Sequence, residues 1–134
     1  MAVECVNTDK APQAVGPYSQ AVWAGNLLFI SGQIPIDPQT NELNLFNRDA
    51  GEQTKLILKN MKAILESQGL TIKDIAKVTI FLDSMTNFDK VNQVYASFFN
   101  SHKPARACVE VARLPKHASV EIDAVAFGGD RKNT

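Results

Sequence analysis

A chain of 134 residues with 14 basic and 14 acidic side chains has no net charge, so its totals do not advertise a polyanion-binding surface of the nucleic-acid kind. Its two cysteines, Cys5 and Cys108, are far apart and outside any paired motif, which argues against a disulfide scaffold and fits a reduced compartment. No run approaches the roughly 18 apolar residues of a membrane span, and the first residues lack a basic start followed by an apolar run, so the expectation is a cytoplasmic protein, with mitochondrial import left open.

One domain over residues 1–134 is expected, large enough to bury roughly 70% of its unfolded surface. Residues 2–7 alternate weakly and predict an edge strand, followed by loop chemistry at Thr8–Pro12. Gly16-Pro17 sets a turn, Tyr18 opens an extended run, and Ala24-Gly25-Asn26 predicts a hairpin turn. Leu27–Ser31 is a strongly apolar strand, which Gly32 and the prolines at 35 and 38 are expected to end. Residues 39–47 are polar and irregular.

From Asp49 to Gln68 the period changes. Leu56, Ile57, Met61, Ile64 and Leu65 recur at three- and four-residue steps, predicting the longest helix, with Gly69 at its C-terminal cap. Lys77–Leu82 follows as a strand, and strand, helix, strand in this order predicts a parallel pair joined by a crossover. A second helix is expected over Asn87–Ser101, with Phe88, Val91, Tyr95, Phe98 and Phe99 on one side.

Ala105–Leu114 and Ser119–Phe127 alternate with a period of two and are rich in valine and isoleucine. If residues 114–117 connect them as a hairpin, Arg106, Cys108 and Glu110 share a sheet face with Ser119, Glu121 and Asp123. The whole pattern predicts an α+β fold: a mixed sheet of about six strands with two helices on one face. The other face must meet water, a ligand or another subunit.

Arg106 lies in a run of small and apolar residues, where an unpaired charge is costly. It reads either as an ion-pair partner of Glu110 or Glu121, or as a fork that grips a carboxylate through two parallel hydrogen bonds. Glu121 reads either as that ion-pair partner or as a general base that deprotonates a water. Cys108 has no histidine nearby in sequence and reads as a small hydrophobe rather than a nucleophile. His102 and His117 read as surface residues, no metal-site spacing is present, and no phosphate loop is present. Tyr18 and Phe88 read more readily as core than as site.

The segment Pro104–Lys116, followed by Val120-Glu121-Ile122, resembles the C-terminal signature of the RidA family, also called YjgF. Ala14–Gln20 and Ile30–Pro35 resemble its N-terminal motifs, and Val91-Asn92 with Tyr95 and Phe98-Phe99 resembles its second helix. The resemblance implies a chorismate-mutase-like fold, a homotrimer with ligand sites in the clefts between subunits, and cofactor-free hydrolysis of 2-imino acids to 2-keto acids and ammonia. It implies that Arg106 binds the substrate carboxylate and that Glu121 holds the attacking water. The backbone of Cys108 would contact the substrate, and Tyr18, Ser31, Gly32 and Asn92 would line the pocket. The partners implied are small 2-imino and 2-keto acids and further copies of the chain; the composition itself points to no membrane partner and does not advertise a nucleic-acid one. The alternatives are a keto-acid-binding regulatory module without turnover, and a ribonuclease or translation inhibitor.

Overall fold

The computed structural model describes residues 2–130. The expected domain span of 1–134 therefore includes residue 1 and residues 131–134, which lie outside the described residues. Among the described residues six strands and two α-helices follow in the order β1 Glu4–Val6, β2 Ala21–Ala24, β3 Leu27–Gln33, α1 Ala50–Ser67, β4 Ile75–Leu82, α2 Phe88–Phe99, β5 Ala105–Glu110 and β6 Val120–Phe127. The strands form one mixed sheet, as expected, in the order β1-β2-β3-β6-β4-β5. No helix among the described residues is long and apolar enough to cross a membrane.

The helices form where the period predicts them. α1 begins after Asp49, whose carboxylate accepts a hydrogen bond from the Glu52 amide at 3.1 Å, satisfying one of the first-turn donors. Its Ile57, Leu58, Met61, Ile64 and Leu65 are sealed from solvent against the sheet. α2 ends where Asn100 turns out of the helix at φ 57°.

Strand pairing departs from the expectation in two places. The last two strands do not form a hairpin: β5 pairs in parallel with β4, while β6 lies antiparallel between β3 and β4. Burial accounts for this. Val120, Ile122, Ala124 and Ala126 of β6 are at most 2% exposed and need a neighbour on each side, whereas no residue of β5 is fully buried, which suits an edge. The expected parallel pair of β3 and β4 is also absent as a direct contact, because β6 stands between them; the parallel crossover is β4-α2-β5.

β3 runs two residues beyond the expected stop, through Gly32 to Gln33, with a register irregularity against β6 between Ile30 and Gln33. Such an irregularity leaves residues locally unpaired and re-aims the side chains beyond it. The face away from the helices is largely apolar and open, with Leu27, Phe29, Val109 and Phe127 each between 37% and 49% exposed.

Candidate active site

The true pairing separates Arg106 from Glu121. Partners across a sheet share a face, so Arg106 lies on the face of its partner Val78 and Glu121 on the face of its partner Phe81. Val78 is buried beneath the helices, and Phe81, three residues on, points to the other side. The single polar face expected from a hairpin is therefore corrected: the two residues occupy opposite faces.

The ion pairs weighed for Arg106 are not formed. Glu110 instead accepts a hydrogen bond from the Met85 amide at 2.8 Å. Arg106 leans toward α2, where its Nη1 donates to Asn92 Oδ1 at 2.7 Å and its Cζ lies 4.8 Å from the centre of the Tyr95 ring and 5.9 Å from that of Phe88. Asn92, Tyr95 and Arg106 line a cleft of about 280 Å³ together with Phe99, His102 and Pro104. An asparagine oxygen on Nη1 leaves Nε–H and the outer Nη2–H, which point in parallel, with no partner among the described residues. That edge has the geometry for a bidentate carboxylate.

Cys108, two residues along the strand on the same face, packs against the core. Burial pushes its thiol pKa up, partly opposed by the Arg106 charge, so the thiol stays protonated and is a poor nucleophile. His102 is less of a surface residue than expected, because its Nε2 lies 2.8 Å from the Ile75 carbonyl oxygen.

On the other side of the sheet Glu121 lies across Gly32. A Cβ at position 32 would sit 2.9 Å from the Glu121 carboxyl carbon and closer still to Oε2, so the absence of a side chain there makes room for the carboxylate. Burial pushes the Glu121 pKa up, and neighbouring Asp123 adds to it. A carboxylate raised in this way is a better proton acceptor when ionised.

Tyr18 is half exposed and shares a small cleft with Gly32, Gln33 and Ile34. Ser31 lies next to Gly32, but its hydroxyl donates to the Ser19 carbonyl at 2.6 Å and so ties down the segment that presents Tyr18. Gln20, which the sequence did not single out, does the same from inside. Its buried amide donates to the Pro12 carbonyl at 2.7 Å and the Thr8 carbonyl at 3.0 Å and accepts from the Thr8 amide at 2.7 Å. Its position between Tyr18 and the first buried residues of β2 was the available signal.

The residues thus fall into two groups: Arg106, Asn92 and Cys108 near one sheet edge, and Tyr18, Ser31, Gly32 and Glu121 around the β3–β6 pair. Phe88 and Tyr95 join the first group, although their spacing on α2 reads as core alone.

Residues 8–127 match the family model described as endoribonuclease L-PSP. A RutC family protein of Pyrococcus horikoshii is 52% identical over 92% of this chain and 97% of its own length. An Escherichia coli protein named as a reactive intermediate deaminase, TdcF, is 45% identical over 90% of this chain and 94% of its own length. The crystal structure of Escherichia coli TdcF with bound serine superposes with a TM-score of 0.85 at 44% identity, covering 92% of this chain and 98% of that one.

Proposed function

This chain belongs to the endoribonuclease L-PSP family, whose members include RutC proteins and proteins named as reactive intermediate deaminases, and we propose that it hydrolyses reactive 2-imino acids to 2-keto acids and ammonia. The observation that carries the reading is the Arg106 guanidinium, held by Asn92 in the lining of a cleft with its Nε–H and outer Nη2–H free of any partner among the described residues. TdcF holds serine, a 2-amino acid that presents a carboxylate and an adjacent nitrogen as a 2-imino acid does.

A protonated imine is electrophilic at C2 without further activation, so the protein has little covalent work to do. Arg106 grips the carboxylate, and Glu121 accepts a proton from water as its oxygen bonds to C2. The tetrahedral carbinolamine then takes that proton on nitrogen. As the C–N bond breaks, an oxygen lone pair closes the carbonyl, the hydroxyl proton passes back to Glu121, and the departing ammonia carries it away as ammonium, leaving the 2-keto acid. Orientation supplies much of the rate in such a scheme, since well-placed reactants gain effective molarities of order 10⁵ M or more. Cys108 contributes its backbone, and no cofactor enters the scheme.

Arg106 and Glu121 stand on opposite faces of one sheet, which favours sites completed between copies of the chain, with Arg106 from one and Tyr18, Gly32 and Glu121 from the next. The apolar open face fits burial at the centre of a homotrimer. The test is to generate 2-iminobutanoate with an amino-acid oxidase and follow ammonia and 2-ketobutyrate with and without the protein. Acceleration that Arg106→Ala abolishes, while leaving the fold intact, supports the reading. Binding of 2-ketobutyrate without imine hydrolysis would leave only a ligand-sensing module.

A further inference from the structure

We propose that Tyr95 positions the Arg106 guanidinium, its ring serving as the platform that keeps the side chain aimed at a carboxylate. The inference rests on the reading of Arg106 as the carboxylate grip. It begins from distance: Arg106 Cζ is 4.8 Å from the Tyr95 ring centre, closer than the 5.9 Å to Phe88 and inside the range where a cation is drawn to an aromatic face.

The platform is fixed. Tyr95 is 7% exposed, its ring lies 4.5 Å from that of Phe99, and Phe99 in turn meets Phe98 edge-on at 5.2 Å. Arg106, in contrast, stands on an edge strand whose side chains are largely exposed. A long side chain there loses rotamer freedom whenever it binds. Holding it against a rigid ring reduces that loss, while Asn92 fixes the rotation by engaging Nη1. The two contacts together leave the Nε–Nη2 edge without a partner among the described residues.

The hydroxyl of Tyr95 argues that the ring is what matters. It is sealed from solvent and has no hydrogen-bond partner among the described residues. A buried polar group without a partner weakens a fold, so the hydroxyl does not explain the residue structurally. Removing it should cost nothing in stability, and removing the ring should loosen Arg106.

The experiment measures 2-ketobutyrate binding by calorimetry, KM and kcat for 2-iminobutanoate, and thermal stability. The variants are Tyr95→Phe, Tyr95→Leu, Arg106→Ala, and a series of phenylalanines bearing one to three ring fluorines at position 95. Tyr95→Phe should bind within about 2-fold of wild type and be at least as stable. Tyr95→Leu should bind about 2- to 30-fold more weakly, with the loss in KM rather than kcat. Each added fluorine should weaken binding further at nearly constant size, which keeps the test decisive if the leucine variant does not fold. Arg106→Ala losing binding while the fluorine series stays flat would overturn the role of Tyr95 alone. Arg106→Ala binding like wild type would overturn the reading of Arg106 and this inference with it.

Discussion

Arg106 and Glu121 lie on opposite faces of one sheet, because their partners Val78 and Phe81 are three residues apart on β4, the strand between β5 and β6. Two residues assigned to one reaction thus cannot meet across the surface that a hairpin would have given them. The proposed site shared between copies of the chain would remove the difficulty and would bury the apolar open face between them.

That face gives the first prediction. Phe29 is 42% exposed on it, so Phe29→Asp should leave the isolated subunit's fold nearly unchanged. In an assembled trimer the same aspartate would be buried without a partner and should break the assembly. Light scattering after gel filtration should show a monomer that has lost imine hydrolysis. A trimer with full activity would place the interface elsewhere.

Gly32 gives the second. Its added Cβ would strike the end of a flexible side chain rather than backbone, so Gly32→Ala should move the Glu121 carboxylate without unfolding the strand. A displacement of about 1 Å near reacting groups can reduce rate by about 10²-fold. The expected outcome is a fall in kcat of at least about 10-fold with a melting temperature close to wild type. Unchanged kcat would mean that Glu121 is not required at that position.

The raised pKa of Glu121 sets a pH dependence. A base must be ionised, so activity should fall on the acid side at a pH above the usual glutamate range, and Glu121→Gln should remove both the limb and most of the rate. Stability has the opposite sign. With its folded pKa above the unfolded value, Glu121 favours folding below the unfolded pKa and loses that contribution as pH rises through the folded pKa. Glu121→Gln should therefore be less active yet more stable at neutral pH, as chemical denaturation would register.

Cys108 gives a negative expectation. Its thiol is kept protonated by burial and is assigned only a backbone contact, so Cys108→Ala should keep kcat within about 3-fold while losing about 1 kcal/mol of packing. A loss of two or more orders of magnitude would restore thiol chemistry to the mechanism.

Much of the fold was legible in the chain, and the parts that were not share a cause. The change of period at Asp49 located α1 almost to the residue, and the alternation of residues 105–127 located both terminal strands. Alternation does not say which strand neighbours which. β5 and β6 look alike in sequence, and only the nearly complete burial of Val120, Ile122, Ala124 and Ala126 decides that β6 is central. The single polar face depended on pairing the two with each other. Tyr95 was legible as core, but its place under Arg106 depends on β5 pairing with β4 in parallel, which periodicity does not contain.

If Arg106 of one copy and Glu121 of another make one site, two variants that are inactive alone should complement each other in a mixed assembly. Arg106→Ala and Glu121→Gln, each inactive alone, would be co-expressed in equal amounts and assayed for imine hydrolysis. In a cyclic trimer with random assembly, about a quarter of the shared sites receive both native residues, so about a quarter of the wild-type rate should return. A mixed assembly as inactive as its parents would contradict the shared site.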